Sequence, residues 1–305
     1  MKRVMSVSLG SSIRNHSVET EILGQRILIE RIGTNGDIEK AIELIRKNDG
    51  QVNAFGLGGI DLYIYAGAKR YTFRDAKRIA LAASKSPVVD GSGLKNTLER
   101  NVIAYLQNEL GIVFANKKVL MVCAVDRFGM AESLSAAGAE MTFGDLIFAL
   151  GLPVSISSIN SLQRIARIIA PIIVKLPFKI LYPTGGKQEQ QTPKYGTYYE
   201  RADIIAGDFH FIRRYMPEKL SGKCIITNTV TPTDIQLLKD RGIKQLITTT
   251  PEINGRSFGT NVMEAVLIAL SGKKPDEMMP EDYSGLLKSV GFMPRVVNFA
   301  GEMTG

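Results

Sequence analysis

A chain of 305 residues with 45% hydrophobic content can bury a sizeable core, and its length favours two domains over one. Two cysteines and two histidines exclude a disulfide framework and speak against a metal site, so no metal is expected. The net charge of +8 is unevenly placed: no acidic residue lies from Leu146 to Gln188, where Arg164, Arg167, Lys175, Lys179 and Lys187 supply five of the eight excess charges, a local patch that suits an anionic ligand or surface and not nucleic acid.

Strand and helix patterns alternate along the chain. Met1-Lys2-Arg3 leads into the alternating strand Val4–Leu9 and not into an apolar leader, which predicts a cytoplasmic protein. Glu21–Arg31 reads as a hairpin turning at Gly24, and Asp37–Lys47 as a helix with Ile38, Ala41, Ile42, Leu44 and Ile45 on one face. Then follow a strand over Val52–Leu57, a hairpin through Ala66-Gly67-Ala68, a helix from Arg74 to about Ser84, and the short strand Pro87–Val89. Leu94–Leu110 is long enough to link two domains, with the first ending near Asn116. The second opens with the strand Lys117–Val125, a helix through Ser133–Ala137 stopped at Gly138, and the strand Ala139–Phe143. The pattern predicts a two-domain α/β protein: an N-terminal α/β domain over 1–116, a Rossmann-like doubly wound parallel sheet over 117–275, and a C-terminal helix and tail over 276–305.

Four apolar runs end abruptly in polar residues: Val119–Val125 in Asp126-Arg127-Phe128-Gly129, Ile204–Ala206 in Gly207-Asp208-Phe209-His210, Cys224–Ile226 in Thr227-Asn228-Thr229, and Leu246–Ile247 in Thr248-Thr249-Thr250. Ligands of open parallel sheets lie outside the carboxyl ends of the strands, so these are candidate site loops. The strand, loop, helix and strand over 117–143 have the length of a nucleotide-binding unit, and Asp145 stands where a ribose hydroxyl would be held. The glycine fingerprint is absent, leaving Gly129 for close approach beside Met130, and the alternative is a crossover that binds nothing. Arg127 at the helix start can pair a phosphate. Asp145 favours NAD over NADP by repelling a 2′-phosphate, a preference that Arg127 weakens. Asn228, Thr229, Thr248 and Thr249 would line the nicotinamide side.

Val88-Val89-Asp90-Gly91-Ser92-Gly93-Leu94, with Leu98-Glu99-Arg100 following on a helix, resembles the shikimate and quinate dehydrogenase family, including a bacterial group called quinate 5-dehydrogenase-like. Gly259-Thr260-Asn261-Val262-Met263-Glu264-Ala265 is similar to that family's late glycine-then-methionine segment. The resemblance covers most of the chain. It implies a substrate domain, a Rossmann domain with NAD or NADP, and C-terminal helices that return to the first domain. It also implies a hydroxyl or carbonyl of a small carboxylated substrate as the reacting group, with Asp90 as the aspartate of a lysine–aspartate proton relay. Asp90 could instead cap the following helix. The family's lysine is missing after Val52–Leu57, so Lys69, Lys77 and Lys95 are the nearest replacements. Asn261 and Glu264 stand near the place of its late glutamine.

Other candidates come from the residues themselves. Ser11, Ser12 and Arg14 after the first strand suit a carboxylate or phosphate, and Gly58 and Gly59, with Gly56, could present backbone N–H groups to an anion. His210 could exchange protons with Asp208 orienting it, or could be a packed structural residue. Ile159–Ile169 is an amphipathic helix, divided from later apolar pieces by Pro171, Pro177 and Pro183. Residues 161–187 could bury their apolar side at a dimer interface, cover the site, or lie on an anionic membrane surface, with packing in a homo-oligomer the leading expectation.

Overall fold

The computed structural model describes all residues except 67–68, 178–190, 251, 254–255 and 300–305. The chain is mixed α/β and divides into two compact units: Met1–Leu98, Ala166–Gln188 and Gly259–Phe292 form the first, and Glu99–Ile165, Glu189–Phe258 and Met293–Gly305 the second.

In the first unit, β1 (Lys2–Ser8) is buried over its last five residues, as befits a central strand covered on both faces. β2 (His16–Ile22) and β3 (Gln25–Gly33) form an antiparallel hairpin. Leu23 and Gly24 both have positive φ, 52° and 70°, the backbone that a two-residue turn of matching twist requires. β4 (Ala54–Gly58) and β7 (Val88–Val89) complete a sheet of order β2-β3-β1-β4-β7, parallel except for β2. β5 (Tyr63–Ala66) and β6 (Lys69–Thr72) form a separate hairpin whose turn lies outside the described residues.

Helix Ile38–Asn48 starts where Asp37 accepts the Lys40 N–H, and it buries Ala41, Ile42 and Ile45 against Met5, Val7, Phe55 and Leu57. Each of the two isoleucines contributes roughly 1.5–3 kcal/mol on burial. The helix expected over Arg74–Ser84 ends at Ala80. The reason is Asp49, whose carboxylate accepts the backbone N–H groups of Ser84, Lys85 and Ser86 and holds them in a turn.

Helix Thr260–Ser271 is buried along most of its length and packs on β1 and β4. At Gly56 a Cβ would come within 2.7 Å of the Asn261 carbonyl oxygen, so the helix start rests directly on the strand. This helix belongs to the first unit, not to the second domain expected to extend to residue 275. Helix Ser92–Asn108 carries the first passage between units, at Leu98 and Glu99, ahead of the boundary expected near Asn116.

The second unit is built on β8 (Lys118–Met121), β9 (Glu140–Phe143), β10 (Ile204–Gly207), β11 (Cys224–Thr227) and β12 (Gln245–Thr248), all parallel. A short ladder, β13 (Glu252–Ile253) with β14 (Arg256–Ser257), follows, and β15 (Arg295–Asn298) closes the edge antiparallel to β12. The order β15-β12-β11-β10-β8-β9 reverses direction between β8 and β10, the switch point at which doubly wound sheets open a crevice. β8 stops at Met121, short of the expected Val125, because the backbone N–H groups of Ala124 and Val125 turn to the Asp145 carboxylate. Helix Phe128–Ala136 follows, and Gly138 at φ 81° starts the return to β9. The core gathers Leu120, Val122, Ile205, Ile225 and Leu246 from the strands with Phe148, Tyr199, Phe209, Ile212 and Leu238.

Helix Ile159–Ile173 runs through Pro171, beyond the expected stop at Ile169. Lys179, Pro183 and Lys187 of the acid-free segment lie outside the described residues. Among the described residues, no helix is long and apolar enough to cross a membrane.

Candidate functional site

The carboxyl ends of β3, β1, β4 and β7 share one edge of the first unit's sheet. Beyond β1 the chain bends so that Leu9 N–H donates to the Gly58 carbonyl and Thr34 N–H to that of Ser8. Ser11 caps the short turn Ser12–Arg14, its hydroxyl accepting the Ile13 N–H at 3.2 Å. Ser12 exchanges two hydrogen bonds with the Asn35 side chain. Arg31, from β3, reaches this edge: one guanidinium nitrogen donates to Ser8 Oγ and another to the Ser11 carbonyl, each at 3.1 Å. Burial and the neighbouring charge of Arg14 lower its pKa to about 10. Among the described residues its hydrogen-bond partners are a hydroxyl and a carbonyl, and no carboxylate pairs with it. A half-buried guanidinium of that kind is poised for an anion.

Gly58 and Gly59 serve close packing and not an open anion cradle. A Cβ at Gly58 would meet the Ser8 side chain at 3.0 Å, and one at Gly59 the Gly10 nitrogen at 2.9 Å. Asn261 donates to Ser6 Oγ at 2.9 Å, tying the late helix to β1, which is a structural role.

Further along the edge, Asp90 is saturated. One carboxylate oxygen accepts the Leu62 and Tyr63 N–H groups at 2.6 and 3.1 Å, and the other accepts the Ser92 N–H and hydroxyl at 3.0 and 2.6 Å. Four donors occupy its lone pairs, two from the start of the following helix and two from Leu62–Tyr63, an arrangement that suits a structural anchor. Of the three candidate lysines, Lys69 is exposed over the Tyr71 ring and Lys77 is exposed on its helix. Lys95 alone is buried, with its Nζ 3.4 Å from Asp61 Oδ1 in the loop after β4. The structure therefore contains a lysine–aspartate pair, with Asp61 in place of Asp90.

Glu264 is 3% exposed and accepts the Gly91 N–H and the Tyr283 hydroxyl, both at 2.7 Å. Burial, and then the Asp90 charge, raise its pKa to about 7 against the opposing pull of Tyr283, Gly91 and Lys95. Burial and the Glu264 charge push the Tyr283 hydroxyl up as well. Gly91, at φ 94°, lies so close to the late helix that a Cβ there would come within 2.7 Å of the Asn261 nitrogen, and a Cβ at Gly93 would strike Glu264 Oε1.

In the second unit the polar strand ends bond mainly to one another. Arg127, 2% exposed, pairs with Glu99 at 2.5 Å and Asp208 at 3.0 Å, with Asp126 at 3.9 Å. Burial works against its charge, but these three carboxylates outweigh it and hold the guanidinium above its ordinary pKa. Asn228 donates to Asp208 and accepts the Phe209 N–H, while Thr227 donates to the Gly207 carbonyl. Thr248, Thr249 and Thr250 are buried, with Thr248 donating to the Thr250 carbonyl and Thr250 to that of Asn228. Thr229 and Phe128 are half-buried, and Gly129 and Met130 are buried in the helix after β8. His210 is exposed on helix Phe209–Tyr215, and Asp208 accepts its backbone N–H as the helix cap.

Asp145 Oδ1 accepts the N–H groups of Ala124 and Val125 at 3.0 and 2.9 Å. Burial raises its pKa to about 6, and its Oδ2 has no hydrogen-bond partner among the described residues. Backbone N–H groups at this place in a doubly wound sheet commonly hold a phosphate. Here the chain's own carboxylate takes them. With Arg127 already neutralised, the residues do not fit a dinucleotide's pyrophosphate, and the phosphate and ribose roles of Arg127 and Asp145 are corrected accordingly. Cys123 and Cys224 are half-buried free thiols whose pKa values desolvation pushes up, to about 12 for Cys224.

Sequence reasoning missed Arg31, Tyr283 and Glu99. Arg31 had a faint signal, a charge inside the apolar run of β3.

A family model described as "Domain of unknown function (DUF8754)" matches residues 93–299, and a second, "Domain of unknown function (DUF8753)", matches residues 3–90. No curated protein matches. Among solved structures, the chain is similar to a galactofuranose binding protein at 13% identity, covering 95% of this chain and 99% of that one, TM-score 0.37. An NAD-dependent malic enzyme from Thermotoga maritima is 14% identical over 95% of this chain and 84% of that one, TM-score 0.36. An ABC transporter solute binding protein from Agrobacterium vitis is 8% identical over 100% and 97%, TM-score 0.38.

Proposed function

We propose that this chain, which belongs to the DUF8754 family, binds a small carboxylated molecule at the carboxyl edge of the first unit's sheet, with Lys95, paired to Asp61, hydrogen-bonding its hydroxyl or carbonyl oxygen. Arg31 carries the reading: its half-buried guanidinium is held by Ser8 Oγ and the Ser11 carbonyl, with Arg14 adding positive charge. A carboxylate there would take charge-assisted hydrogen bonds, each worth roughly 1.5–3 kcal/mol. Ser12 adds a hydroxyl. Lys95 beside Asp61 supplies a buried ammonium that can donate a hydrogen bond to the hydroxyl or carbonyl oxygen of the bound molecule.

The test is calorimetric titration with small hydroxy- and keto-carboxylates and their neutral amides. Carboxylates should bind, amides should not, and Arg31→Gln should weaken binding at least tenfold. Equal binding of acid and amide sinks the reading.

A second reading is nicotinamide-dependent oxidation of the substrate's hydroxyl. It rests on the strand order, which reverses between β8 and β10. The Asp145 and Arg127 arrangement weighs against it. Thermal melting with millimolar NAD and NADP decides: no shift with either removes it.

A further inference from the structure

The acid-free segment has no part in the proposed site, and its described residues form a distinctive surface. Helix Ile159–Ile173 contains no acidic residue. Its inner positions Ala166 and Ala170 are buried, as is Val174 just after its end, which joins the first unit's core with Phe73. On the outer side Ile168 is 71% exposed and Ile172, one turn on, 62% exposed, although both are large apolar side chains. Arg167 and Lys175 flank them, also exposed. Arg74 N–H donates to the Val174 carbonyl, which ties in helix Arg74–Ala80 with exposed Lys77 and, just after it, exposed Leu81.

We propose that this face docks the protein on an anionic phospholipid surface, with Ile168 and Ile172 entering the acyl boundary and Arg167, Lys175 and Lys77 meeting the head groups. Apolar residues flanked by lysine and arginine on one helix are the composition that binds in an interface plane. Charge decides against a second copy of the chain, because a two-fold contact would set Arg167 and Lys175 against like charges. The overall charge of +8 adds long-range attraction to the same partner.

The experiment is sedimentation of the full chain with vesicles of phosphatidylserine and phosphatidylcholine, against phosphatidylcholine alone, at low and high salt. The protein should pellet with the mixed vesicles at low salt and be released by high salt. Arg167→Gln with Lys175→Gln should weaken binding about fivefold per charge removed. Ile168→Ser with Ile172→Ser should abolish pelleting while circular dichroism stays unchanged, since both side chains are exposed in the fold. Three results overturn the proposal: protein left in the supernatant at low salt, equal pelleting on phosphatidylcholine, or serine variants that pellet like the parent. Self-association that the serine variants abolish overturns it in favour of a second copy.

Discussion

Replacing Glu264 by glutamine should remove a specific part of the pH dependence of stability. In the folded chain this carboxyl titrates at about 7, against an ordinary 4.5. Between those values the folded state holds a proton that the unfolded chain releases, so the stability of the parent falls as pH rises through this window and levels above it. The interval is worth about 3 kcal/mol at roughly 1.4 kcal/mol per pH unit. With the residue 3% exposed, solvent screening does little to reduce it. Glutamine resembles the protonated acid: its oxygen can accept from Gly91 N–H, and its amide can donate to the Tyr283 hydroxyl, which then acts as acceptor. The variant should match the parent near pH 4 and exceed it by up to about 3 kcal/mol at pH 8. The chain has no tryptophan, so urea unfolding followed by circular dichroism is the suitable assay. Asp145 tilts both curves alike, and the difference between them isolates Glu264. Parallel curves from pH 5 to 8 would refute the reasoning.

Asp145→Asn should act in a lower window. The folded carboxyl titrates at about 6 against an ordinary 3.8, so the parent loses stability as pH rises between those values and the variant does not, as denaturation from pH 4 to 7 would reveal. Arg127→Leu should cost about 3–5 kcal/mol, since it removes one partner of a buried ion pair with Glu99 and a second with Asp208, and a melting temperature lowered only slightly would contradict that. Gly93→Ala should cost about 1–3 kcal/mol by driving a methyl into Glu264 Oε1, and an unchanged melting curve would show that the helix can shift.

Local chemistry made much of the fold legible. Alternation marked β1, the Leu23-Gly24 turn marked the first hairpin, and Asp37 marked the start of helix Ile38–Asn48. The polar ends of β10, β11 and β12 were visible as well. Helix Thr260–Ser271 was assigned to the wrong unit because an almost uniformly apolar helix does not state which sheet it covers. Arg127 looked available for a phosphate because its partners lie 28 residues before it and 81 after it. Lys95 and Asp61 are 34 residues apart, and only the loop after β4 brings them together. Sequence identifies the residue types, but neutralisation by a distant carboxylate is a tertiary fact.

The first unit draws on three separate stretches of chain, so modularity in sequence and autonomy in folding diverge. The family models divide the chain between residues 90 and 93, yet the sheet of β1 and β4 is roofed by a helix that begins at residue 260. A fragment spanning 3–90 would leave the face of β1 and β4 that the late helix covers open to water, a surface prone to aggregation. Such a protein cannot be dissected as two cassettes. Domain exchange between relatives would have to carry the distant helix along with the strands it covers.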